Sequence, residues 1–463
     1  MKRMLAIVIT VAMVVSFLAA CAPNNEPAPD PAPADETAEE QEPEPVTEED
    51  DEPAPAPEGT RNIVFWDMIW AEAGVYDVRA QALVDEFNAT NEYGIYVTYQ
   101  SIPWDGWFQT FITAVTSGNA PDVSTGAFMH SIMMADMGEG LPLDPIVEAW
   151  REEGGAIIDD INPDIFNLFM FEGRYYGLPW NIVGRQFFYR TDMFEEAGIT
   201  ELPTTWDEFL EVCAQLREHF PDVVPLALPI EGPGGFHTLF NLLQQNGTGI
   251  TDAAGNPAFD TDEVREVLEF VHALAANGFL PEGAVAYDHH EALRLFLAGG
   301  AAMYHHGPID IRDFPELEGN VAVLPIMLGP SADAPRASAW PNAIQAYAQT
   351  EDPEAALIFI RWWLENQLPL FTDTGLNFPV RASWLEDPHF TENWQPRQTA
   401  EYIMPFTVSP VWPAPNPYLE FSTIDAEAFL GIALERSVLA DPDFDAIMQE
   451  IQDYLLGVFA EFQ

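Results

Sequence analysis

The run His290-Glu291-Ala292-Leu293-Arg294 comes within one residue of a zinc-protease helix. That chemistry needs two imidazoles four residues apart on one helical face, and Arg294 stands where the second is required. The pairs His289-His290 and His305-His306 also offer metal ligands. Adjacent residues point in different directions on a helix or a strand, so neither pair makes a two-ligand site alone. "DPDFDAIMQEIQ" spaces Asp441, Asp443 and Asp445 like a calcium loop, but Ala446 replaces the needed glycine and Gln452 the closing glutamate. A helix start with acids favoured by the dipole is the simpler reading. No metal and no cofactor is expected. There is no G-x-S-x-G elbow, and Lys2 is the only lysine, which rules out a Walker A loop beyond it. A glycoside hydrolase needs only two acids across a cleft, which an acid-rich chain always offers, so it stays open as an alternative.

The elements that would position such groups alternate. "RNIVFWD" reads as a strand, "VYDVRAQALVDEFNATN" as an amphipathic helix and "GIYVTYQSI" as a second strand. "DGWFQTFITAVTSG" is a helix with Phe108, Phe111, Ile112 and Val115 on one face and Gly118 as its stop. "PDVSTG" gives a third strand. A second alternation starts with "TTWDEFLEVCAQLREHF", capped by Thr204 or Thr205, and continues through "VVPLALPI", three helices, "AAMYHHG" and "NVAVLP". "AIQAYAQ" is strand-like, "DPEAALIFIRWWLEN" a helix capped by Asp352, and the C-terminal run is helical. The expected fold is α/β with two lobes, each a mainly parallel sheet flanked by helices. Cys213 falls on an apolar helical face and reads as core, as do the mid-helix Trp362 and Trp363.

The opening "MKRMLAIVITVAMVVSFLAACAP" has a positive start, an apolar stretch and Leu18-Ala19-Ala20-Cys21. It is expected to be a lipoprotein signal peptide over residues 1–20, with Cys21 lipidated and anchoring the chain to a membrane. Residues 22–59 are almost wholly Pro, Ala, Glu and Asp, a composition expected to stay disordered as a stiff spacer. They hold 14 of the 75 acids and no basic residue, leaving 61 acids against 15 arginines in the rest. That balance argues against nucleic acid or an anionic lipid surface as partner. The folded part is expected to divide into a first lobe of residues 60–185 plus about 345–400 and a second of about 186–344 plus 401–463.

Several segments, taken in order, resemble the extracellular solute-binding proteins of ABC sugar importers, the maltose-binding-protein-like family 1. They are "TSGNAPDV", "GEGLPLDPIV", "FLAGGAAMYHHGP", "DPEAALIFIRWWL" and the longest signature, "GRYYGLPWNIVGRQFFYRTDMFEEAGITELPTTWDEFLEVCAQL". The resemblance implies a type II periplasmic-binding-protein-like fold with a ligand cleft at the hinge. It implies no catalysis, an ABC permease as partner, a monomer, and a location on the outer face of the cell membrane. It also implies that "QFFYR" is a connecting strand with its rings in the core, while Trp180 and Asn181 face the cleft. After "HHGP" related sugar binders often carry a stacking Trp, whereas this chain has Ile309, so His306 or Asp310 is expected to take over.

A sugar presents apolar C–H faces and a rim of hydroxyls, so its site needs aromatic faces and short polar groups. The loops after the strands carry that mixture. They supply Trp66, Asp67, Trp70, Trp104, Asp105, Phe128 and His130 in the first lobe, and Phe236, His237, His306 and Asp310 in the second. The crossover segments add Trp180, Asn181, Trp340, Asn342 and Trp412. The expected ligand is a mono- or oligosaccharide, with another solute such as a polyamine as the alternative within binding proteins.

Overall fold

A computed structural model describes residues 57–462, apart from 58, 72, 105, 376, 415 and 416. The expected signal peptide, Cys21, nearly all of the spacer and Asp105 lie outside the described residues. Strands β1 (Arg61–Met68), β2 (Ile95–Ile102) and β3 (Val123–Gly126) are separated by helices α1 (Tyr76–Thr90) and α2 (Trp107–Ser117). Helix α3 (His130–Asp136) follows, and then β4 (Gly177–Gly184) and β5 (Gln186–Arg190) meet end to end with Arg185 between them. The second alternation contains α4 (Trp206–His219), β6 (Val224–Ala227), α5 (Gly232–Gln245), α6 (Asp262–Ala276), α7 (His289–Leu297), β7 (Ala301–His306) and β8 (Val321–Val323). Strand β9 (Ala337–Tyr347), α8 (Pro353–Asn366), β10 (Phe378–Pro379), α9 (Glu420–Glu427) and α10 (Phe444–Glu461) complete the main elements.

The first sheet runs β10-β4-β9-β3-β1-β2, with short strands at Gly140–Leu141 and Thr407–Val408 also pairing with β9. The second runs β8-β5-β7-β6. β1 pairs in parallel with both β2 and β3. The sheets are mixed, however, and not mainly parallel as the alternation suggested. β9 runs against β3 and β4, and β5 runs against β7 and β8. Both are the strands by which the chain enters one lobe from the other. A strand arriving from the far lobe comes in at the end where the neighbouring strands finish, and so must run against them.

Local chemistry sets the helix starts. Thr205 and Glu208 form a reciprocal capping box on α4, and Asp288 and Glu291 form one on α7. Asp352 caps α8 and Asp443 caps α10 through the backbone amides of Ala355 and Ala446, so the calcium-like acids are a helix start. In β5, Phe187 and Phe188 point to opposite faces and join different apolar clusters. In the first lobe the core gathers round Phe65, whose ring centroid lies 5.1 Å from Phe359 and 4.9 Å from Trp363 on α8. Burying each such ring contributes about 1.5–3 kcal/mol. Trp363 is fully buried and Trp362 packs on Phe87, so both are packing residues. Cys213 lies in the second-lobe core. Among the described residues no helix is long and apolar enough to cross a membrane.

Candidate functional site

An aromatic chain runs through the first lobe to the gap between the lobes. Ring centroids of Trp180 and Trp70 are 5.3 Å apart, Trp70 and Trp104 5.0 Å, Trp104 and Trp107 6.0 Å, and Trp107 and His130 5.4 Å. Exposure varies along it: Trp180 is fully buried against Phe371, whereas Trp104 is 41 % exposed. Trp104 is held by its indole donating to the Ile69 carbonyl at 2.7 Å, and Trp70 by donating to Thr125 Oγ1 at 3.0 Å.

His130 opens α3, directly after β3. A Cβ on Gly126 would lie 2.4 Å from His130 Nδ1, so a glycine there is what lets the ring sit against the strand end. The Gln345 amide donates to Nδ1 at 3.1 Å, leaving the proton of the neutral ring on Nε2. Burial lowers the His130 pKa to about 3, so the ring is neutral at physiological pH. Nε2 is buried and has no partner among the described residues. It is a donor without an acceptor.

Across from it lies α9. Trp107, Phe108, Met129, His130 and Met133 of the first lobe and Ser422, Asp425 and Ala426 of α9 enclose a cavity of about 10 Å³, room for roughly one water. Burial raises the Asp425 pKa to about 7, opposed by the charge of Arg185. Beside Asp425 on the same helix, Phe421 lies 5.8 Å from Phe128, 5.7 Å from Phe240 and 6.1 Å from Trp340. The apolar packing is therefore continuous from the first lobe into the second.

The hinge supplies the polar end. Arg185 is only 5 % exposed, and its backbone amide donates to the Ser338 carbonyl on β9, tying the two crossover strands together. Its Nη2 contacts His237 Nδ1 at 2.9 Å, while Nε and Nη1 have no partner. His237 sits in the first turns of α5, after Gly232-Pro233-Gly234-Gly235. A Cβ on Gly235 would be 1.9 Å from the Ile230 carbonyl oxygen, so no other residue fits that turn. Trp340 packs edge-on to His237 at 4.5 Å, and its indole N–H is buried without a partner. His289, set by the α7 capping box, stacks on His306 at 4.9 Å, and His306 Nε2 is unpartnered. Burial and then the Arg185 charge push the His237 and His306 pKa values well below the ordinary imidazole range, so both rings are neutral. His305, on the opposite face of β7, uses both nitrogens on Thr238 and Asn241.

A model of the bacterial extracellular solute-binding protein family matches residues 76–367. The chain belongs to that family. Among curated members it is 26 % identical to an arabinooligosaccharide-binding protein of Halalkalibacterium halodurans over 222 residues, 47 % of this chain and 46 % of that one. It is 27 % identical to a diacetylchitobiose-binding protein of Streptomyces coelicolor over 33 % of each chain. The chain thus spans about half the length, or less, of these curated relatives. Among solved structures it is similar to a sugar transporter from Arthrobacter chlorophenolicus with bound laminaribiose, with a TM-score of 0.76 and 24 % identity over 86 % of this chain and 99 % of that one. It is also similar to the sugar-binding protein MalE of Xanthomonas citri, with a TM-score of 0.71 and 22 % identity over 87 % and 98 %. The fold is that of the type II, two-lobed members of the family.

Within this solute-binding frame, ring contacts link Phe128, Phe236, His237, His306 and Trp340, partly through Phe421, and His130 shares a small cavity with α9. Trp70 and Trp104 belong to the first-lobe aromatic chain, and Trp66 packs on Phe111 beside it. Trp180 and Asn181 do not face the cleft: both are 0 % exposed, because β4 is a sheet strand covered on both faces. Asn342 donates to Asn181 at 2.7 Å, which makes the two amides a link between crossover strands. Asp67 is also internal. The period of two along β1 puts it on the face of Ile63 and Phe65, where it accepts from Thr125 at 2.6 Å and Tyr76 at 2.9 Å. Asp310 is exposed and bonded to Arg312, and Ile309 is buried in an apolar cluster. Trp412 lies under the Arg336 guanidinium, 4.5 Å from the ring centroid.

Sequence reasoning passed over Trp107, Arg185, Asp425 and Phe421, and weighed His289 only as a metal ligand. One signal was available for Arg185: a lone arginine inside an aromatic crossover run, in a chain with few cations, has to be buried for a reason. Asp425 carries no such mark, because "FSTIDAEAF" is an ordinary helical pattern.

Proposed function

We propose that this solute-binding protein captures a carbohydrate between its lobes and hands it to an ABC permease, binding without turnover. One observation carries the reading. Unpartnered buried polar atoms (His130 Nε2, Trp340 Nε1, Arg185 Nε and Nη1, and His306 Nε2) sit among aromatic rings at the meeting of the lobes. Each buried unpaired polar group costs about 1–3 kcal/mol, and a polyhydroxylated ligand supplies the missing partners. Its C–H faces suit the rings of Trp107 and Trp340. The relatives named for arabinooligosaccharide and diacetylchitobiose, and the similar structure holding laminaribiose, support the same ligand class. A polyamine is disfavoured by the buried Arg185 guanidinium at the hinge. Trp104, Trp107, His130, Arg185, His237, His306, Trp340 and Asp425 form the proposed binding set.

The lobes close on the ligand about the crossover strands, and the shift is limited by how much better the closed state binds. Cys21 carries the lipid anchor that holds the chain as a monomer at the outer face of the membrane. A thermal-shift screen against mono- and oligosaccharides, with polyamines as controls, tests this, because a ligand in excess raises the melting temperature by mass action. A rise with one sugar group and no product after long incubation is the expected result. A rise with polyamines alone, or release of a shorter sugar, overturns it.

A further inference from the structure

Arg185 is out of place for a site that binds only neutral hydroxyls. Its guanidinium is buried, and among the described residues it forms no ion pair. Its one side-chain hydrogen-bonding neighbour is the neutral His237, and Nη1 looks onto Gly307, 3.7 Å from where a Cβ there would lie. Gly307 follows β7 and puts no side chain between Nη1 and the strand end. Removing a cation from water without a counter-ion costs several kcal/mol, so such a group is normally paired or neutralised. Arg185 is not neutralised: burial lowers its pKa only to about 10, and it stays charged at physiological pH. Asp425 is within electrostatic reach, but no ion pair joins them, and burial holds that carboxyl partly protonated near neutrality.

The surroundings repeat the theme. His237, His289 and His306 crowd the same spot, with ring centroids of 5.9 Å for His237–His306 and 4.9 Å for His289–His306. The rest of the folded chain is strongly acidic, with 61 acids against 15 arginines beyond the spacer. A nitrogen-rich cluster around a cation without a counter-ion is the local inverse of the surface around it. The surface charge weakens steering of an anion toward the cleft, but it acts through solvent and is screened within about 8–10 Å. The contact inside the hinge is buried and is screened much less. A planar guanidinium with two free donors matches a carboxylate in a bidentate pair.

We infer that the ligand is an acidic sugar, a uronate mono- or oligosaccharide, whose carboxylate pairs with Arg185 Nε and Nη1 beside His237 and His306. The inference rests on the sugar-binding reading and adds the charge of the substrate. The hydroxyls and C–H faces of the uronate ring then meet Trp340, Asp425 and, across the gap, His130 and Trp107. A neutral sugar would leave the guanidinium with hydroxyl partners only. Hydrogen bonds between charged partners are worth roughly twice neutral ones, and that difference is the source of selectivity.

Isothermal titration calorimetry with matched ligands tests this on the intact protein. Di- and trisaccharides of galacturonic, glucuronic and mannuronic acid are each compared with their methyl esters, which keep the skeleton and remove the charge, and with neutral hexose oligomers. The acid is expected to bind about 10- to 100-fold more tightly than its ester. Arg185→Gln is expected to bring acid and ester level, and Arg185→Lys to restore part of the preference. The acid–ester comparison needs no variant, so it holds even if a substitution at the hinge fails to fold. Esters or neutral oligomers binding as well as the acids would overturn the inference and leave the sugar reading standing. An acid preference that survives in folded Arg185→Gln would overturn the assignment to Arg185. If no sugar of either kind binds, the inference falls together with the reading beneath it.

Discussion

Asp67 gives the sharpest physical prediction. Its carboxylate is fully buried in the first lobe, and burial, opposed by hydrogen bonds from Thr125 and Tyr76, raises its pKa from 3.8 to about 7. Between those two values the native state keeps a proton that the unfolded chain has released. Stability is therefore lost as pH rises through that window, with little further change above it. From pH 5 to pH 8 the loss from this one group is roughly 2.5 kcal/mol. Asp67→Asn removes the titration while keeping an oxygen that accepts from one hydroxyl and an amide that donates to the other. Equilibrium urea unfolding of both proteins, followed by tryptophan fluorescence at pH 5, 6, 7 and 8, isolates it, because the histidines and Asp425 titrate in both and drop out. The difference in unfolding free energy should move by about 2.5 kcal/mol in favour of the variant across that range. A difference that stays flat within about 0.5 kcal/mol would refute the account of Asp67 as a buried, protonated acid.

Gly235→Ala forces a methyl group onto the Ile230 carbonyl, so a loss of about 2–4 kcal/mol and a weakened ligand response are expected, read by urea unfolding and thermal shift; unchanged stability would contradict the geometry of that turn. Trp340→Ala should cost about 3–5 kcal/mol by emptying the space among Phe236, His237, Phe240 and Phe421, while Trp340→Phe should lose much less. If the alanine variant unfolds at the wild-type urea midpoint, the packing account fails. The Cys213 thiol is fully buried and its pKa is pushed up by desolvation, so an aromatic disulfide reagent should label it only on unfolding. Rapid labelling of the native protein would show that the core around α4 opens readily.

Much of this protein was decided by local sequence. The alternation of β1 to β3 with α1 and α2, the Thr205, Asp352 and Asp443 caps and the opposed faces of Phe187 and Phe188 follow from periods of 3.6 and 2 and from capping chemistry, which act within a few residues. For "QFFYR" it was the family resemblance that implied a connecting strand, and β4 and β5 do meet there end to end in different sheets. Asp67 could have been placed by the period of two, because a residue two beyond Phe65 on a half-buried strand shares its face. Tertiary structure decided the rest. That Trp180 is sealed inside depends on β4 lying between β9 and β10 under helices, and that β9 runs against β3 depends on where it enters the sheet. Asp425 and Phe421 join the site because a C-terminal helix folds back more than two hundred residues to meet His130 and the hinge. No local period carries that information. The charge of Arg185 was written in the sequence, but only the fold buried it beside a neutral histidine with no counter-ion among the described residues.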